Sequence, residues 1–89
     1  MSSAELETLD QLLGGDMPLT TIRQLYPDDA AFLQGVLGLL NSRDVRFFSP
    51  GKPDVPQWHC RALFTEGSIL EKLTMFRLDI TDQGIRRIL

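Results

Sequence analysis

His59 and Cys60 are the only histidine and the only cysteine in the chain, and they are neighbours. A cysteine nucleophile needs a base within hydrogen-bond reach of its sulfur. Adjacent side chains point to opposite faces of a strand, and on a helix they diverge by about 100°. The pair is therefore badly placed for a dyad. A zinc site takes about four ligands, whereas His59, Cys60 and Asp54 supply three at most. Glu5, Glu7 and Asp10 line the start of a helix, while paired-carboxylate catalysis needs two acids held together in a pocket. Neither Gly14-Gly15-Asp16 nor Gly51-Lys52 has the glycine–lysine–hydroxyl spacing of a phosphate loop. Trp58, Phe47, Phe48 and Phe64 could stack on single-stranded bases, but so small a domain needs its rings inside. The sequence offers no catalytic residue, metal ligand, cofactor site or small-molecule substrate site, and it points to a binding module rather than an enzyme.

The elements that would position these residues fit one small domain of 89 residues,. A hydrophobic content of 43% is enough for a core. A domain of this size hides only roughly 60–65% of its unfolded surface, so it gains from a partner. Nine basic against 12 acidic residues give a net charge of -3. Any nucleic-acid or membrane contact would then need a local basic patch. One cysteine excludes an intramolecular disulfide and an all-cysteine metal site. The acidic N-terminus is unlike a secretory signal. The most apolar stretch, Phe32 to Leu40, is too short to span a bilayer. A reduced, cytoplasmic protein without a membrane partner is the expectation.

Leu6, Leu9, Leu12 and Leu13 recur at helical spacing, with Ser2 or Ser3 as cap and Gly14-Gly15 as stop. Residues 1–3 are expected to be disordered ahead of that helix. Met17-Pro18 is extended. Thr20 or Thr21 then caps a second helix that turns Ile22, Leu25 and Tyr26 inward. Asp28 caps a third, Asp29 to Asn41, whose buried face reads as Leu33, Val36, Leu37 and Leu40 with Phe32 and Leu39 on its flanks. Val45, Phe47 and Phe48 read as a strand, and residues 50–56 as a flexible loop. Gln57 to Phe64 is either a strand with Trp58, Cys60, Ala62 and Phe64 on one face, or a helix from Pro56 to Gly67. Strand is the favoured reading, followed by a helical turn in which Ser68 and Glu71 have capping-box spacing. Phe76, Leu78 and Ile80 alternate as a half-buried strand. Thr81 caps a last helix with Ile85, Ile88 and Leu89 facing in. Arg86 and Arg87 complement the negative end of its dipole.

This order resembles a winged helix-turn-helix domain. The resemblance rests on Met17-Pro18-Leu19-Thr20 leading into Ile22-Arg23-Gln24-Leu25, the helix Asp29 to Asn41, the strand Asp44-Val45-Arg46-Phe47-Phe48, and Arg77-Leu78-Asp79-Ile80-Thr81-Asp82-Gln83-Gly84. It covers most of residues 4–48 and 75–89, while the segment 50–73 is much longer than a usual wing. It implies an α+β fold: three N-terminal helices, a small antiparallel sheet with an extended wing region, and a short C-terminal helix. It also implies a regulatory setting in which the third helix is the recognition element.

The sequence of that helix does not suit DNA. Its outward residues are expected to be Ala31, Gln34, Gly35, Gly38 and Asn41, without a lysine or arginine, and Asp28 and Asp29 stand where a phosphate would sit. Small side chains there suit close approach by polypeptide, either another element of this chain, a second copy or a protein partner. These five residues are the expected partner-binding set. Arg43, Arg46, Lys52 and Arg61 are the alternative, a backbone contact to DNA made through the wing by a small transcriptional regulator, or else charges that guard a sheet edge.

Overall fold

The structure is a computed structural model, and it describes residues 2–89. Ser2 caps helix α1 (Ser3–Leu12): its hydroxyl accepts from the Glu5 amide, and Glu5 reaches back to the Ser2 amide. This reciprocal cap satisfies two amides the helix itself leaves unpaired. Ser2 and Ser3 are thus built into the helix start, and Met1 lies outside the described residues. Gly15, at φ 129°, turns the chain into strand β1 (Met17–Pro18). Helix α2 (Leu19–Arg23) begins directly after Pro18, one residue before the threonines expected to cap it. Asp28 caps α3 (Asp29–Asn41) by accepting from the Ala31 amide.

Strand β2 (Val45–Phe48) and strand β3 (Arg77–Ile80) pair antiparallel, with Val45 opposite Ile80 and Phe47 opposite Leu78. Strand β1 lies on the other side of β3, giving the sheet order β1-β3-β2. Helix α5 (Asp82–Ile88) follows, capped by Thr81 as expected, whose hydroxyl accepts from the Gly84 amide. The result is an α+β fold of five α-helices and a three-stranded antiparallel sheet among the described residues.

Residues 57–64 form no strand. They belong to a helix, α4 (Gln57–Glu66), followed by short 3-10 turns at Ser68–Glu71 and Leu73–Met75. Pro56 starts α4 and Gly67, at φ 77°, ends it. Cys60, Leu63 and Phe64 are its buried residues. That spacing belongs to one helical stripe and is incompatible with alternation. Ser68 makes no capping box; its hydroxyl donates to the Leu63 carbonyl. The loop before α4 is held to the sheet by the bridge between Phe48 and Asp54 and by the Val55 amide on the Phe47 carbonyl.

Helix α3 is rotated from expectation, and the residue after α5 is not buried. On α3 the buried side chains are Phe32, Val36, Leu39 and Leu40, while Leu33 and Leu37 are only half-buried. On α5, Ile85 and Ile88 are half-buried and Leu89 is exposed. The core gathers Leu9, Leu12, Leu19, Ile22, Phe32, Phe47, Phe64, Ile69 and Leu78 from α1, α2, α3, the sheet and the 57–75 excursion.

One polar group is buried at the junction of α3, β2 and α5. Asp44 is 1% exposed. Its carboxylate accepts from Ser42 Oγ at 2.7 Å and pairs with Arg87 Nε at 2.9 Å. Its backbone carbonyl accepts from the Thr81 amide at 3.0 Å, and the Thr81 hydroxyl donates to the Arg43 carbonyl at 2.7 Å. Gln83 donates to the Ser42 carbonyl. Arg43 takes a left-handed conformation, φ 63°, to make this turn. Gly84 is required here, because a Cβ would collide with the Asp44 carbonyl. Arg87 is therefore a specific partner of a buried acid, beyond any complement to the helix dipole. Arg87→Leu should lower stability by about 2–3 kcal/mol, whereas Arg86→Leu, at an exposed neighbour, should stay within about 0.5 kcal/mol. Urea unfolding followed by circular dichroism compares the two; equal losses would show that the pair with Asp44 is unimportant.

Candidate interaction surface

Helix α3 forms because Asp28 caps it and because its apolar residues recur at helical spacing,. Beyond Asp29 it carries no charged side chain. Its exposed ridge is Ala30, Gln34, Gly38 and Asn41, with Ala31, Leu33 and Leu37 half-buried on the shoulders. Open grooves lie on both sides. One, of about 310 Å³, is bounded by Ala30, Leu33, Gln34 and Leu37 of α3 and by Phe64 and Thr65 of α4. The other, of about 430 Å³, lies between the start of α1 and the Tyr26–Gly35 side of α3. Helices α3 and α4 run antiparallel. Gln57, at the start of α4, donates to the Leu40 carbonyl at 2.7 Å, while Phe64 and Thr65 lie beside Ala30 and Leu33.

Of the five expected partner-binding residues, Gln34, Gly38 and Asn41 are exposed and Ala31 is half-buried. Gly35 is not on the surface. The Tyr26 ring fills the space above it, so that a Cβ at 35 would stand 2.5 Å from Tyr26 Cε2. Tyr26 is held there by its hydroxyl, 3.0 Å from Thr8 Oγ1, and by edge-on packing against Phe32. Burial pushes the Tyr26 hydroxyl above its ordinary pKa. The close approach at Gly35 thus comes from α2's own tail. Gly38, by contrast, has nothing within 4 Å of a built Cβ.

Of the four candidate nucleic-acid residues, Arg43 and Arg46 line one cleft together with Asp54, Val55 and Gln57. Arg46 lies over the Phe48 ring at 5.0 Å and pairs with Asp54 at 2.9 Å and Asp79 at 3.5 Å. These acids raise its pKa, with the Asp54 hydrogen bond the largest cause. Arg43 is the left-handed residue after α3, Lys52 lies in the 49–56 loop, and Arg61 is on the exposed side of α4. Arg23 and Arg77 are also paired, with Asp29 and Asp16.

His59 is exposed and stacks on Trp58, while Cys60 is buried. Burial pushes the Cys60 thiol up to about 11, and Sγ donates to the Val55 carbonyl. A protonated, buried thiol beside an outward-facing imidazole makes no dyad. Among the described residues no group of three or more acid, histidine or cysteine side chains could hold a metal ion.

Sequence reasoning missed Trp58, expected in the core and found 71% exposed. It also missed Leu33 and Leu37 as groove walls. The proline before Trp58 was the usable signal, since it starts a helix on which Trp58 and Cys60 diverge,. No family model matches this chain, and neither a curated protein nor a solved structure matches it.

The two helix glycines should respond oppositely to the same change. Gly35→Ala must displace Tyr26 and should cost about 1–3 kcal/mol. Gly38→Ala enters open space and should stabilise by up to about 1 kcal/mol. Thermal melts of both variants check this; a neutral Gly35→Ala would show that Tyr26 is not locked in place.

Proposed function

We propose that the chain is a winged-helix-type binding module that acts by protein–protein contact in a regulatory, cytoplasmic setting and catalyses no reaction. The element order helix, strand, two helices, strand and strand, and the sheet order β1-β3-β2, support the winged-helix reading. In that reading the excursion 49–76 is an enlarged wing that has folded back as α4 against α3. The observation that carries the function is the α3 ridge: uncharged from Ala30 to Asn41 and flanked by two grooves. A phosphate backbone is recognised chiefly by cations, and this ridge offers none. Methyl groups, two amides and leucine shoulders suit a polypeptide, whose own side chains can enter the grooves. The pairing of Arg46 with two acids weakens the DNA alternative further. Among the described residues, no helix is long and apolar enough to cross a membrane.

Two measurements test the reading. A photo-crosslinking residue at Gln34 should give discrete protein adducts in cells, and one at exposed Gln24 should not. Fluorescence anisotropy with duplex DNA at low salt should show no saturable binding. Binding that falls with salt and is lost when Arg43 and Lys52 become glutamate would overturn the proposal in favour of the DNA-contacting regulator.

A further inference from the structure

Strand β2 stands at the edge of the sheet, with β3 on one side only. Part of its outer edge is covered. The Val55 amide donates to the Phe47 carbonyl at 2.8 Å, and Phe48 bridges to Asp54. At Pro56 the chain leaves that edge for α4. In an antiparallel ladder, alternate residues turn their amide and carbonyl toward the same neighbour. The Thr81 amide on the Asp44 carbonyl, with Arg46 opposite Asp79, sets the alternation here. Asp44, Arg46 and Phe48 bond toward β3, while Val45 and Phe47 point outward. The amide and carbonyl of Val45 therefore have no partner in the sheet. Val45 is 5% exposed, and backbone polar groups on a buried residue require a partner.

This open edge lies in a cleft of about 270 Å³ between β2, the end of α3 and the start of α4. Its apolar lining is Leu40, Val55 and Cys60, beside Val45 itself. Its charged lining is Arg43, Arg46 and Asp54. Arg46 is taken up by Asp54 and Asp79. Arg43 is exposed and, among the described residues, pairs with no acid. Asp82, exposed next to Thr81, does not line the cleft. The uncompensated charge is thus a cation at the end where β2 begins.

These groups specify an occupant. An extended residue laid antiparallel against Val45 donates its N–H to the Val45 carbonyl and accepts from the Val45 amide. Its side chain falls on the same face as that of Val45, toward Leu40, Val55 and Cys60. Its carboxyl side runs toward Arg43, and the residues before it leave over the Arg46–Asp54 pair. Because Val55 already holds Phe47, the edge has room for a chain end and not for a full strand. An amino terminus would need the Asp54 carboxylate, which Arg46 occupies. A carboxyl terminus finds Arg43 free.

We infer that this cleft binds the C-terminus of another polypeptide ending in an apolar residue, adding that residue to β2 with its carboxylate on Arg43. The inference does not rest on the α3 reading and uses a different part of the surface.

Titration of the isotope-labelled full chain with the peptide acetyl-Ala-Val-Leu, followed by NMR, tests this. The free acid should bind saturably, with a dissociation constant of about 0.1–1 mM. It should shift the Arg43 and Val45 amides and slow hydrogen exchange at Val45, which a contact to the Arg43 side chain alone would not do. The C-terminal amide of the same peptide should bind about tenfold more weakly. Arg43→Asn should cost the free acid the same factor. Asparagine tolerates the left-handed backbone at 43,, and a thermal melt verifies that the variant is folded. Lys52→Gln, outside the cleft, should change nothing. Absence of saturable binding by the free acid up to about 10 mM overturns the inference. So does equal binding of acid and amide, or tighter binding of Leu-Val-Ala amide with a free amino end. Shifts centred on Gln34 would also overturn it, by placing the peptide on α3.

Discussion

Asp44 is a carboxylate taken almost wholly out of water, and the geometry around it follows from what a buried charge requires,. It needs a cation, which Arg87 supplies from α5, and a further donor, which Ser42 supplies from the end of α3. Satisfying the backbone of the same turn calls on Thr81 and Gln83. Removing α5 together with its Thr81 cap would leave that acid without its cation and the turn without three of its donors. A helix of seven residues is unstable alone,. Its position is therefore set by polar contacts to the α3–β2 turn as much as by Ile85 and Ile88. Because that turn also ends α3 and begins β2, one ionic contact fixes the relation of the third helix to the sheet.

The excursion between β2 and β3 gives α3 its surroundings. Without α4 the Leu33 and Leu37 shoulders would face solvent; with it they become the wall of a groove. The Tyr26 side is organised differently. There the chain uses its own aromatic ring, seated over Gly35 and anchored to Thr8, so that wall is closed from within. The ridge between is uncharged because its own residues, Ala30, Gln34, Gly38 and Asn41, carry no ionisable group.

Much of the architecture was legible in the sequence where a local signal had one physical meaning. Asp28 and Thr81 cap the helices they were expected to cap, and alternation located β3 correctly. The failures share a cause. Residues 57–64 satisfy a two-residue period and a helical one about equally well, and only the start at Pro56 and the stop at Gly67 decide between them. The outward face of α3 was misjudged at Gly35 because that depends on Tyr26 reaching across from α2, a contact no periodicity records. Arg46 is paired by Asp54 from the loop that follows β2 and by Asp79 from across the sheet, and the second of these no local pattern records. The uncharged character of α3 was legible; its flanking grooves were not, because one of them is made by the element misread as a strand.

Strands β2 and β3 are neighbours in the sheet, yet Phe48 and its partner Arg77 are joined through the whole of residues 49–76. That connection carries Cys60, Leu63, Phe64 and Ile69 into the core. Such a ladder cannot zip outward from a tight hairpin, since closing a long flexible loop costs chain entropy before any cross-strand bond is formed. Collapse of the connecting helix onto α3 shortens the effective loop and brings the strand ends together. The order of assembly is thereby written into the topology: helical hairpin first, central sheet afterwards, with a slower approach to the native state than a helical chain of this length would show.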